Sequence, residues 1–180
     1  MKTVFFDIDT QIDFIYPAGA LYVPGAERIL PLVAELNRRA PLVISTMCSH
    51  SEDDPEFKLY PHHCVAGTFG QRKPSVTLLE KCDPARQVLF EKQELDSFSN
   101  PRLAPLLAEL GAERYVVYGV VAEICVRLTA FGLLKTGKRV EVVTDAIRAL
   151  DSRAAHKMLS VFTAAGGHLT TANAVLEALS

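Results

Sequence analysis

No apolar run in this 180-residue chain approaches the length of a membrane span. Neither sign of charge dominates: the net charge is -2 with mixed signs, which argues against a nucleic-acid or polybasic membrane role. The chain has four cysteines, at positions 48, 64, 82 and 125, and they are too scattered for a disulfide scaffold. Repeats and low-complexity segments are missing. The first residues enter a strand pattern directly, and a working thiol wants a reducing compartment, so the expected location is the cytoplasm. With 49% hydrophobic residues, the chain suits one domain over residues 1–180 with a sizeable core.

Short β-branched and aromatic runs recur near Thr3 to Ile8, Pro41 to Thr46, Gln87 to Phe90, Arg114 to Tyr118, Arg139 to Val143 and Gly167 to Leu169. Helical spacing fills the gaps near Ala26 to Arg39, Ser75 to Lys81, Pro101 to Leu110, Glu123 to Thr136, Ser152 to Ala165 and Thr171 to Leu179. Strands alternating with helices imply an α/β fold, a three-layer α/β/α arrangement around a mostly parallel six-stranded sheet. The longest irregular stretch, Cys48 to Pro74, is where a functional loop is expected.

Three strand ends carry side chains with chemistry. In Gly119-Val-Val-Ala-Glu-Ile-Cys-Val126 a strand turns into a helix and sets Cys125 in its first turn. Amides and macrodipole there favour a thiolate and an oxyanion, although a free cysteine is commonly a small buried hydrophobe. The C-terminal end of the first strand carries Asp7, Asp9 and Gln11, at the rim where open α/β sheets bind ligands. Asp9 there is either a proton acceptor or a turn cap near Asp13. Lys92 ends the strand Arg86-Gln-Val-Leu-Phe-Glu-Lys92, either tuning a thiol or simply solvated. Asp145, in Val143-Thr-Asp-Ala146, reads as a strand-end residue that caps a helix.

Together these segments resemble the isochorismatase-like cysteine hydrolases, and within them the nicotinamidases. Asp9-Thr-Gln-Ile-Asp-Phe14 matches the D-x-Q-x-D-F opening, and Gly19-Ala-Leu-Tyr-Val-Pro-Gly25 the G-x-L-x-V-P-G stretch. Phe90-Glu-Lys92 matches the segment of the family's catalytic lysine, and Val120-Val-Ala-Glu-Ile-Cys-Val126 that of its nucleophile. The resemblance implies a triad of Asp9, Lys92 and Cys125. It also implies a cis peptide at Val120-Val121 that aims the amides of Val121 and Cys125 at an oxyanion. Phe14 and Tyr60 match aromatic pocket positions that sandwich a flat ring, with ordinary core packing as the plainer reading; Phe69 and Phe98 are weaker candidates.

The resemblance also implies one divalent metal. Nicotinamidases carry D-x-H after the second strand; the same stretch here, Ile44-Ser-Thr-Met-Cys-Ser-His50, keeps the histidine but has Cys48 for the aspartate. Glu56-Phe-Lys-Leu-Tyr-Pro-His-His-Cys-Val-Ala-Gly-Thr68 resembles an E-x-K-L-F-P-P-H stretch and supplies Glu56 and His63, with His62 as the spare. A Cys48, His50, Glu56 and His63 set favours zinc, because soft sulfur suits the borderline ion. Cys64 and Cys82 read as structural.

The activity implied is hydrolysis of nicotinamide to nicotinate and ammonia through a Cys125 thioester, a step of NAD salvage, by a dimer or tetramer acting on a small-molecule amide. Two alternatives stand beside it. One is a different hydrolase of the same family: an isochorismatase, or a ureidoacrylate or carbamoyl amidase. The other is a magnesium-dependent phosphatase like the haloacid dehalogenases, using Asp7 and Asp9 with Ser45 or Thr46, Lys92 and Asp145. The second fits worse, because Asp9 is followed by Thr10-Gln11, where that family usually has Gly-Thr.

Overall fold

Val4, Phe5, Phe6 and Ile8 favour a pleated backbone, and all four are fully buried. Their strand therefore lies at the centre of the sheet, covered on both faces. The structure, a computed structural model, describes residues 1–79, 83 and 85–179. Its elements run β1 (Thr3–Ile8), α1 (Ile12–Ile15), α2 (Leu30–Arg39), β2 (Val43–Cys48), β3 (Gln87–Lys92), α3 (Leu103–Leu110), β4 (Arg114–Val120), α4 (Arg127–Leu134), β5 (Arg139–Arg148), α5 (Ser152–Ala164), β6 (His168–Thr170) and α6 (Ala172–Glu177). The strands form one sheet in the order β3-β2-β1-β4-β5-β6, and every pairing is parallel, which goes beyond the mostly parallel sheet expected.

Alternation along the strands gives each face its own core. Phe6, Ile8, Val117 and Val142 pack with residues of α3, α4 and α5. Phe5, Val116, Tyr118 and Val143 pack on the opposite side with Val33 and Leu36 of α2 and Val175 of α6. The strand order reverses direction between β1 and β4. That switch point opens a crevice at the carboxyl ends of the strands, where Asp9, Lys92 and Cys125 all fall.

Several expected elements come out differently. The helix expected from Glu123 begins as a π-helical turn, Ala122–Val126, before α4. The helix expected from Ala26 opens with a 3-10 turn, Ala26–Ile29, because Pro31 sits at the start of α2 and cannot donate there. Of the helix expected over Ser75 to Lys81, a 3-10 turn at Ser75–Thr77 forms, after Pro74 and with β-branched Val76 and Thr77. Glu80, Lys81 and Cys82 lie outside the described residues. β5 runs on past Val143 to Arg148, so Asp145 lies within a strand; its Oδ1 accepts from the Ala172 amide at 2.9 Å and caps α6.

Gly119 is required by a close approach. Its φ is 116°, and a Cβ there would lie 2.1 Å from the Ile8 carbonyl oxygen. The β4–β5 register shifts between Val117 and Gly119, which brings Val120 opposite Arg148.

On the α2 side, Asp7 is fully buried in a polar network. Lys73 Nζ lies 3.1 Å from its Oδ2 and donates to Thr10 Oγ1 at 2.8 Å, while Thr10 donates to Asp7 Oδ1 at 2.7 Å. Asn37 and Ser45 complete the shell of donors around Asp7. This network pins the turn that follows β1, the turn that presents Asp9. Removing one partner leaves an uncompensated buried charge, so Lys73→Ala is expected to lose about 3–5 kcal/mol in urea unfolding. Adding Asp7→Asn to Lys73→Ala should recover part of that loss. A single-variant loss below about 1 kcal/mol, as for a surface pair, would contradict the assignment.

Candidate active site

Asp9 leaves β1 in the left-handed region, φ 47°, a conformation that aspartate tolerates better than most residues and that often marks a functional turn. Gln11 fixes the neighbouring chain: its side chain donates to the Cys48 and Gln71 carbonyls at 2.8 and 2.7 Å and accepts from the Cys48 amide at 2.7 Å. Asp13 accepts from the Ala20 and Cys64 amides, tying three loops together. Gly70 leaves room for this carboxylate, because a Cβ there would lie 2.2 Å from it. The turn-capping role weighed for Asp9 thus belongs to Asp13.

Lys92, at the end of β3, is 2% exposed. Its Nζ lies 2.8 Å from Asp9 Oδ2 and donates to Cys48 Sγ at 3.2 Å and the Glu94 carbonyl at 3.1 Å. An ammonium has three donors, and these three contacts use them all. Thr46 donates to Asp9 Oδ1 at 2.6 Å. Burial alone would push the Asp9 carboxyl up, but the charge of Lys92 and the hydrogen bonds from Lys92, Thr46 and Cys125 outweigh it and hold the pKa below the ordinary value. Burial would lower the lysine, and Asp9 carries it well above its usual range instead. The two shifts agree on a stable buried ion pair.

Cys125 is 3% exposed and reaches Asp9 from the π-helical turn after β4. Burial raises its thiol pKa well above the ordinary value; Lys92 opposes the rise, and Asp9 and Cys48 add to it. This corrects the expectation that a helix N-terminus makes the thiol ionise easily: burial of the sulfur dominates. The resting site therefore holds an aspartate, a lysinium and a neutral thiol. The Val120-Val121 peptide is cis, as the resemblance implied.

A second group lies beside the first. His50, Glu56 and His63 offer ligand atoms that all lie within 4.8 Å of one another. The Nδ1 of His50 meets Asp54 Oδ2 at 3.0 Å, and the Nδ1 of His63 meets the Pro61 carbonyl at 2.7 Å. Such outer partners orient histidine rings for a metal. His63 Nε2 sits 3.6 Å from Glu56 Oε1, while His50 Nε2 is buried and has no hydrogen-bond partner. A buried orphan nitrogen facing a second imidazole and a carboxylate fits a divalent cation.

Cys48 does not join this group. Its sulfur turns to Lys92 and donates to Asp9 Oδ2 at 3.7 Å, and burial first, with Asp9 adding to it, pushes its pKa up to about 12. The ion pair engages the sulfur counted in the four-ligand expectation, and the atoms close enough to share an ion are those of His50, Glu56 and His63. The argument for zinc from a thiolate lapses with it. His62 stacks on Phe57 with ring centroids 4.2 Å apart and is the spare, as expected.

Phe14 and Tyr60 meet Cys125 across a small pocket whose lining also includes His63, Glu56, Leu95 and Leu150. Both rings flank His63, at 5.3 and 6.4 Å between centroids. Phe69 is 69% exposed, and Phe98 packs at the edge of the core against Gly132; neither lines the pocket. Asp7 and Asp9 face different surroundings, one in the Lys73 network and one at the thiol, so they cannot share a magnesium ion as the phosphatase alternative requires.

The family model described as the isochorismatase domain matches residues 3–174. The chain belongs to the isochorismatase family. This isochorismatase-family chain is 27% identical to a nicotinamidase of Acinetobacter baylyi, over 80% of each chain. It superposes on a pyrazinamidase of Pyrococcus horikoshii crystallised with zinc at a TM-score of 0.86 and 28% identity, covering 95% of this chain and 99% of that one. It also superposes on PnC1 from L. infantum, crystallised with nicotinate, at a TM-score of 0.88 and 27% identity, covering 96% and 94%. By family the chain is a hydrolase, and the phosphatase alternative falls.

Sequence reasoning missed some participants. Asp54 lies four residues after His50, an acidic spacing that would have flagged a histidine partner. Thr46, weighed only for the phosphatase alternative and not as a partner of Asp9, lies on the same strand face as Cys48, since side chains alternate with period two. Phe57, whose ring lies 5.4 Å from that of His50 and 5.6 Å from that of His63, carries no sequence signal of its own.

Equilibrium dialysis with metal analysis tests the ligand set. Zinc-loaded wild type is expected to hold about one ion per chain, and Cys48→Ser to match it. His63→Ala should bind at least about tenfold more weakly. Loss of the ion in Cys48→Ser would return the sulfur to the set.

Proposed function

We propose that the chain is a cysteine amidase that hydrolyses nicotinamide to nicotinate and ammonia, a reaction that recycles the pyridine ring for NAD. The observation that carries this reading is that Cys125 shares one small apolar pocket with Phe14 and Tyr60, next to the His50, Glu56 and His63 group. A flat aromatic amide would enter as these side chains part from the ≈ 20 Å³ they now enclose, with its ring between Phe14 and Tyr60 and its carboxamide at the sulfur. Likeness to a nicotinamidase and to a relative crystallised with nicotinate supports the same substrate.

Because the thiol is neutral at rest, attack and deprotonation go together. Asp9 takes the thiol proton as sulfur bonds to the carboxamide carbon, and the amides of Val121 and Cys125 receive the oxyanion. The carbon–nitrogen bond breaks as Asp9 returns the proton, and ammonia leaves a thioester. Asp9 then deprotonates a water that attacks the thioester, and the released sulfur regains its proton from Asp9. Lys92 stays charged throughout and keeps the Asp9 carboxylate in place. His50, Glu56 and His63 would hold a divalent ion, for which zinc suits two imidazoles and a carboxylate, and it would supply a Lewis acid beside the ring.

Ammonia release from nicotinamide tests the reading. Cys125→Ala is expected to lose more than about a thousandfold in kcat, and Asp9→Ala or Lys92→Ala about a hundredfold or more. No release by the metal-loaded wild type would overturn the substrate. Full activity in Cys125→Ala would overturn the chemistry.

A further inference from the structure

Of the side chains that line the Cys125 pocket, Leu150 is the exposed one, at 43%, while the others are buried or half-buried. It therefore sits at the mouth. The whole pocket holds ≈ 20 Å³, about one water, so the placement of its lining side chains, Leu150 among them, decides what enters.

Leu150 belongs to the short link between β5 and α5, and two anchors hold that link to the nucleophile. Arg148 pairs in the sheet with Val120, the first residue of the cis peptide. Glu123, two residues before Cys125 in the π-helical turn, accepts from the Leu150 amide at 2.9 Å and the Asp151 amide at 2.7 Å, both at Oε1. Its other oxygen, Oε2, is buried and has no hydrogen-bond partner. A carboxylate so placed is costly unless the bonds it makes matter. One side chain thus fixes the mouth residue relative to the sulfur from inside the nucleophile's own turn.

We propose that Glu123 is a positioning residue that holds Leu150 as the size-limiting wall of the pocket, restricting this site to small, flat, monocyclic amides. The proposal deepens the amidase reading, because it names what limits the substrate of that same pocket. Its test does not need turnover, so the two readings fail separately.

Hydrogen–deuterium exchange at the Leu150 and Asp151 amides reports the clamp. The ratio of alkylation rates at Cys125 for a bulky N-aryl maleimide and for iodoacetamide, read by peptide mass spectrometry, reports the mouth. Glu123→Ala is expected to lose protection at both amides and to raise the bulky-to-small ratio about tenfold, the discrimination that a small change in wall volume gives. Glu123→Gln keeps the accepting oxygen and should restore protection and ratio towards wild type. Leu150→Ala, a surface change, should raise the ratio while Asp151 stays protected, and the double variant should exceed neither single variant. An unchanged ratio in Leu150→Ala would overturn the proposal. So would loss of protection in Glu123→Ala with a wild-type ratio, which would leave Glu123 a merely structural residue. Absence of nicotinamide turnover would count against the proposed substrate and leave this test intact.

Discussion

The ion pair between Asp9 and Lys92 is the constraint around which the site is organised. Both groups are buried, and removing two charges from water costs several kcal/mol per ion unless geometry and further hydrogen bonds offset it. The offset comes from three strands at once: Asp9 follows β1, Thr46 lies on β2, and Lys92 ends β3. Parallel pairing puts those carboxyl ends side by side, with Cys48 opposite Lys92 in the register. The chain beyond β4 then swings Cys125 into the same crevice. A pair of this kind adds little to stability compared with an apolar substitute, so its presence speaks for function.

The same pair sets the electrostatics of everything near it. Asp9 is held ionised, and burial carries the Cys125 thiol well above its ordinary pKa; Lys92 pulls it the other way, while Asp9 and Cys48 add to the rise. On the proposed chemistry the nucleophile forms only as its proton moves to Asp9. Cys48, where an aspartate would add a second carboxylate, contributes a neutral sulfur with a pKa of about 12. Glu56 is then the one carboxylate in the His50, Glu56 and His63 group that could hold a cation. Burial pushes the His63 pKa down, which keeps its imidazole free to bind a cation.

Much of this was legible in the sequence because it depends on strand ends. Apolar β-branched runs define strands, and polar residues just past them fall at one rim of a parallel sheet, which places Asp9, Lys92 and Cys125 before any contact is known. The family resemblance, and not spacing, pointed to the second group in the long loop. What escaped was whatever depends on side-chain direction or on long-range packing. Cys48 takes its direction from Lys92 on the next strand, and the ionisation of Cys125 depends on burial that competes with the helix terminus. Elements with mixed signals also escaped: Pro31 turned the start of one helix into a 3-10 turn, and the strand-like residues around Val76 shortened another. Glu123 and Leu150 matter through a hydrogen bond across 27 residues, which no local pattern encodes.

The central claim is that Cys125 forms a covalent acyl intermediate while Asp9 carries the proton. Rapid chemical quenching of metal-loaded enzyme with nicotinamide, followed by peptide mass spectrometry, tests it most directly. The account predicts a nicotinoyl group on the Cys125 peptide early in turnover, absent in Cys125→Ala. Ammonia release at full rate from a protein whose Cys125 peptide stays unmodified, with Cys125→Ala equally active, would contradict it.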